Sequence, residues 1–158
     1  MKQILCFAGL ALSLVLTAAP SEGQADSERK TYLGPSPVVG SWKFETARYR
    51  EDACVMSGNM HIRPTESQTD FNCSFTAVED CVGEDKWIVE QTCEANLANG
   101  KLAIRSTIVN FIEAEAFTDS YAPDHFALSV ISREFMTGKL VSAVVAPIEF
   151  RREADNVS

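Results

Sequence analysis

The stretch Lys86–Ile112, KWIVEQTCEANLANGKLAIRSTIVNFI, limits the possible folds more than any other part of this chain. Asn99-Gly100 lies between two runs in which apolar and polar residues alternate. A two-residue type I′ turn needs positive φ at both central positions, and Asn-Gly is the pair that tolerates it. Such a loop fixes the register of everything around it. Ala98 then faces Lys101, Leu97 faces Leu102, Ala95 faces Ile104, Cys93 faces Ser106, Gln91 faces Ile108 and Trp87 faces Ile112. That face is mostly apolar. The opposite face pairs Glu94 with Arg105 and Thr92 with Thr107, cross-strand pairs that contribute ~0.2–1 kcal/mol each.

From Gly40 onward the dominant period is two, the signature of strands. Gly40–Arg48 places Trp42, Phe44 and Thr46 on one side. Cys54–Arg63 groups Met56, Gly58, Met60 and Ile62; Thr69–Val78 groups Phe71, Cys73 and Phe75; HFALSVIS supplies Phe126, Leu128 and Val130. A weaker turn signal at Thr137-Gly138 precedes a strand-like run, Lys139–Arg152, interrupted at Pro147. Proline cannot donate to a ladder, so this run must bulge, lie at an edge or restart there. About eight short strands in sequence, with no long helical pattern, read as an all-β sandwich or a closed barrel. Closure removes exposed edges, and at this point both architectures stay open.

The N-terminal residues MKQILCFAGLALSLVLTAA carry one lysine, then an apolar run from Ile4 to Leu16, then small residues. The run is shorter than the ~20 residues of a membrane-spanning helix and has the plan of a secretory signal peptide. Cleavage after Ala18 or Ala25 is compatible with the small residues there, and Ala25 is the favoured site. Cys6 lies at the start of the apolar run, where it does not serve lipid anchoring. The expected organisation is a signal peptide over 1–25, a flexible tail over 26–38, a barrel over 39–152 and a short tail over 153–158. The short leader points to a bacterial envelope protein, periplasmic or secreted, with no membrane insertion after cleavage.

The net charge of −8 survives processing, because the leader removes one lysine and one glutamate. Nucleic-acid phosphates and anionic lipid would repel such a surface, so neither is an expected partner. The sequence carries no signal of oligomeric state.

Cys54, Cys73, Cys81 and Cys93 remain after processing. An even number in an exported chain reads as disulfides, and four cysteines permit about three connectivities. No Cys-x-x-Cys pair or nearby histidine supplies zinc spacing. In up-and-down order the start of the second strand meets the end of the third, which brings Cys54 to Cys81. Counting across the next loop brings Cys73 to Cys93.

Gly40 and Trp42, in GSW, resemble the Gly-x-Trp that opens the first strand of lipocalins and the wider calycin superfamily. There the tryptophan packs across the closed end against an arginine from the last strand. In IEFRR, Ile148, Phe150 and Arg152 share a face, so Arg152 is similar to that arginine and Arg151 points outward. Thr118–Tyr121, TDSY with its Ser120 inserted, is similar to the Thr-Asp-Tyr of lipocalins. The residues after Arg152 show no pattern expected of the usual C-terminal helix. The resemblance implies an all-β fold, a single antiparallel up-and-down barrel of about eight strands, and a structural role for Gly40, Trp42 and Arg152, with Trp42 as the stopper of the barrel.

The expected inward set is Trp42, Phe44, Met56, Met60, Phe71, Phe75, Trp87, Ile104, Ile108, Phe126 and Phe150. It serves either a packed core or an apolar pocket open at one end. Phe44, Met60, Phe75, Trp87, Ile104 and Phe126 are the ligand-pocket candidates. His61 is expected to point outward, while His125 begins a strand near Asp119, Tyr121 and Asp124. Ser57, Ser106 and Ser129 lack a nucleophile motif, and Glu113 and Glu115 read as an exposed edge. No phosphate loop, metal cluster or dinucleotide fingerprint is present, so neither an enzyme nor a cofactor is expected.

Two functional readings follow. In the first, the barrel binds a small apolar or amphipathic ligand. In the second it binds an envelope or secreted protein, because calycins include bacterial periplasmic metalloprotease inhibitors, which have filled barrels and insert an N-terminal tail into the protease cleft.

Overall fold

The computed structural model describes residues 36–113 and 121–154. The expected signal peptide and the tail as far as residue 35 lie outside the described residues, as do Thr118–Ser120 and Glu115. Eight antiparallel strands form a closed barrel in sequence order: β1 Gly40–Thr46, β2 Cys54–Pro64, β3 Asp70–Cys81, β4 Trp87–Ala98, β5 Lys101–Glu113, β6 His125–Val130, β7 Phe135–Val141 and β8 Val145–Arg152. β1 pairs with both β2 and β8, so the sheet closes on itself, while β6 pairs with only the Lys101–Ile104 part of β5. No helix among the described residues is long and apolar enough to cross a membrane.

The Asn-Gly turn behaves as its chemistry requires, with φ of 51° at Asn99 and 72° at Gly100. From Ala98↔Lys101 to Gln91↔Ile108 the register is the one counted from that turn. The expected Trp87–Ile112 pair does not form. Two register shifts intervene, so Glu90 meets Asn110, Val89 meets Phe111 and Ile88 meets Glu113. A one-residue slip moves every later side chain to the other face. Phe111 consequently turns inward beside Trp87, and Ile112 is left 51% exposed.

The turn expected at Thr137-Gly138 is also corrected. Both residues lie inside β7, opposite Glu149 and Ile148 of β8. The reversals fall instead at 131–134 and 142–144, where Ser142 N–H donates to the Val144 carbonyl at 2.9 Å. The run Lys139–Arg152 is therefore the end of one strand and the whole of the next. Pro147 lies within β8, and its carbonyl accepts from Ala47 N–H at 2.9 Å, just past the end of β1. In a strand the two polar groups of a residue point the same way, so the missing donor faces the place where β1 leaves the sheet.

Both disulfides join residues directly opposite each other, Cys54–Cys81 across β2–β3 and Cys73–Cys93 across β3–β4. They match the pairing counted from the strand order. Such bonds belong to oxidising, extracytoplasmic compartments.

One end of the barrel is closed by Trp42, which stands opposite Arg152 in the β1–β8 ladder. The Arg152 guanidinium lies over the indole, 4.4 Å from its centroid. It also donates to the carbonyls of Val39 at 2.8 Å, Pro37 at 2.6 Å and Arg133 at 2.5 Å. The Trp42 indole N–H donates to Val38 O at 2.8 Å. Gly40 has φ 131°, and a Cβ there would collide with the guanidinium, which explains the small residue two before the tryptophan. Val38 is fully buried in the core. The segment expected as a free tail as far as residue 38 thus ends in residues packed over the plug. At the other terminus Glu153 N–H still donates to Ser41 O at 3.0 Å.

Candidate functional site at the barrel mouth

Phe44, Phe75, Phe126 and Phe150 meet ring to ring inside the barrel, with centroids 5.2–5.8 Å apart. Phe44, Met60, Phe75, Ile104 and Phe126, five of the six pocket candidates, are each no more than 4% exposed and belong to this packed core. Trp87 is the sixth, and it lies elsewhere. It is half-buried at the start of β4, at the end of the barrel opposite Trp42.

At that end the loops 47–53, 82–86 and 142–144 surround a cavity of about 180 Å³. Its lining includes Arg50, Met56, Glu79, Trp87, Tyr121 and Asp124. Trp87 stacks on Tyr121 at 5.5 Å, and Phe111 meets both rings edge-on at 6.2 Å and 6.0 Å. The register slip in β5 is what brings Phe111 into this aromatic wall.

The inward side chains here turn polar. Asp124, just ahead of β6, is 0% exposed. Its Oδ2 accepts from Gln91 Nε2 at 2.5 Å and from the Tyr121 hydroxyl at 2.8 Å, while its own N–H donates to Gln91 Oε1 at 3.0 Å. Ser106 Oγ donates to Asp124 O at 2.6 Å. These bonds strap Tyr121 and Asp124, just ahead of β6, onto β4 and β5. Asp124 Oδ1 has no partner among the described residues. The Ser142 hydroxyl is close enough to favour the charged carboxylate, yet it donates to the Ala122 carbonyl at 3.0 Å.

Burial pushes the Asp124 carboxyl up to about 6; hydrogen bonds from Tyr121 and Gln91 and the nearby Ser142 hydroxyl dipole oppose this, and the Glu79 charge adds to it. Glu79, 7% exposed, accepts from the Tyr49 hydroxyl at 2.7 Å and lies 3.7 Å from the Arg50 guanidinium. Burial, reinforced by Glu79, raises the Tyr49 phenol well above its ordinary range, and burial with the Asp124 charge does the same to Tyr121. Both phenols are therefore held as donors. Glu79 also lies beside Cys54 and Cys81, but a disulfide has no thiolate to offer a metal.

The remaining sequence candidates are dispersed. His61 is exposed, with Nδ1 3.1 Å from Ser41 Oγ. His125 follows Asp124, but its Nδ1 accepts from Ser106 N–H at 3.0 Å, which leaves the proton of a neutral ring on Nε2. Ser129 accepts from Lys101 at 2.7 Å, and Glu113 is exposed at the end of β5. Glu79 and Gln91 are not among the sequence candidates, and Asp124 enters there only as a rim neighbour of His125. Their available signal was parity: Glu79 and Gln91 occupy inward positions on strands whose inner faces are otherwise apolar.

No protein-family model matches the sequence, and no curated protein matches it. Among solved structures, the chain is similar to a redesigned β-barrel, mFAP1, bound to DFHBI, at 12% identity and a TM-score of 0.54, covering 74% of this chain and 95% of that one. It is also similar to a de novo designed fluorescence-activating β-barrel, at 17% identity and a TM-score of 0.50, covering 75% and 96%. At these identities the likeness concerns the fold, a closed eight-stranded antiparallel barrel.

Proposed function

We propose that the protein is an exported, non-catalytic binding barrel of the calycin type that takes a compact amphipathic molecule into its mouth. The carrying observation is the division of the interior. Phenylalanines fill the middle, and the open space lies at the end opposite Trp42, walled by Trp87, Tyr121 and Met56 and floored by buried polar groups. Pockets that combine apolar walls with a few convergent polar groups are the usual form of small-ligand sites. This one is below the ~300 Å³ at which such sites commonly begin, which limits the ligand to a few carbons. The leader, the two disulfides and the Gly40–Trp42–Arg152 plug support the exported calycin-like reading.

The test is native mass spectrometry of the processed protein, purified from a bacterial periplasm with its disulfides intact. A reproducible small-molecule adduct is expected, and Ala143→Trp, which narrows the mouth without touching the core, should lose it. A clean mass for the unaltered protein, or an adduct retained by the variant, overturns the reading.

The filled middle also favours the second reading, a barrel that inhibits a secreted metalloprotease through its N-terminal segment. Deletion of residues 26–35 leaves Val38 and the Arg152 contacts in place and should abolish inhibition of a sensitive protease. Unchanged potency refutes it.

A further inference from the structure

The mouth holds more negative charge than it neutralises. Glu79 and Asp124 are both buried, and Arg50, nearly half exposed, is the guanidinium that lines the cavity, 3.7 Å from Glu79. Glu84 adds a third carboxylate to the lining. Asp124 carries the orphan. One of its oxygens takes two donors, and the other, fully buried, takes none among the described residues. A buried acceptor without a donor is costly, and an ionised one more so. A water molecule would satisfy the oxygen but not the charge.

We infer that the mouth binds a small protonated alkylamine, whose ammonium group donates to Asp124 Oδ1 and whose hydrocarbon part lies against Met56, Trp87 and Tyr121. This rests on the mouth-binding reading above and names its ligand class. The chemistry selects it on three counts. Oδ1 needs a donor, so a quaternary ammonium fits poorly. Glu79, Glu84 and Asp124 repel a carboxylate. The aromatic wall favours a cation and accommodates its alkyl chain. A cavity of about 180 Å³ corresponds to roughly six waters, enough for a short chain.

The experiment is amide NMR titration of the purified, disulfide-intact protein with n-butylammonium, n-butanol, butyrate and tetramethylammonium. Butylammonium should produce saturable shifts at Trp87, Asp124 and Ser142, with the other three probes at least tenfold weaker. Asp124→Asn should weaken butylammonium about tenfold to a hundredfold, the range for a hydrogen bond to a charged group. If butanol or butyrate saturates the mouth equally well, the amine assignment fails and mouth binding stands. Equal binding of tetramethylammonium refutes donation to Asp124. If no probe saturates the mouth, the inference fails, and the native mass spectrum decides separately whether the mouth reading fails with it. Should Asp124→Asn not fold, the four-probe comparison on the unaltered protein decides alone.

Discussion

Asp124 ties the candidate site to a measurable pH dependence of stability. Its carboxyl rises from 3.8 to about 6 on folding, chiefly through burial. Between those values the folded protein keeps a proton that the unfolded chain releases. Stability from this group therefore falls as pH rises through the window, and the loss levels off about one unit above the folded value. A shift of about two units corresponds to about 3 kcal/mol, of which about 2 kcal/mol develops between about pH 4 and pH 7. The perturbation is Asp124→Asn, which cannot ionise. The neighbouring groups, Glu79, Arg50, Tyr49, Tyr121 and His125, are the same in both proteins, so their own contributions largely cancel in the difference. Urea unfolding of both proteins at several pH values in that range supplies the assay. The stability of the unaltered protein minus that of the variant should fall by about 2 kcal/mol from the acid to the neutral end. A flat difference, or one that rises with pH, refutes the argument that Asp124 is buried as an uncompensated anion. Butylammonium should reduce the slope, because it stabilises the ionised form.

Other consequences concern the scaffold. Arg152→Lys keeps the charge but gives up the fork that reaches the carbonyls of Pro37, Val39 and Arg133, and should cost about 1–3 kcal/mol in chemical denaturation; a change within error would remove Arg152 from the plug. Replacing Cys54 and Cys81 together by alanine opens a closure spanning 27 residues and should destabilise by about 3 kcal/mol, with no further loss on adding a reductant that leaves the second bond intact. Arg50, Glu51 and Asp52 all hold positive φ, 50°, 57° and 64°, a conformation that L-residues adopt at a cost. Glu51→Gly should therefore raise thermal stability by about 0.5–1 kcal/mol, and a loss would show that the Glu51 side chain supports the turn.

What the sequence by itself determined was the barrel's local grammar. The Asn99-Gly100 turn sets the register because its backbone requirement is met within two residues, and the strand period then assigns faces. The disulfide pairing follows from that order, since Cys54 and Cys73 reach their partners across adjacent strands. Trp42 and Arg152 were legible by parity and by resemblance. The tertiary structure alone decided how the interior is used. Whether Phe44, Phe75 and Phe126 enclose a pocket or fill it depends on how three strands' side chains interlock, and pattern does not encode that volume. The slip after Ile108 is a property of two strands together, and it swaps Phe111 for Ile112 on the inner face. The mouth draws Arg50, Glu79, Gln91 and Asp124 from separate parts of the chain. Their proximity, and the unpaired oxygen it leaves on Asp124, arise only when the barrel closes and removes the water that solvated each of them in the open chain.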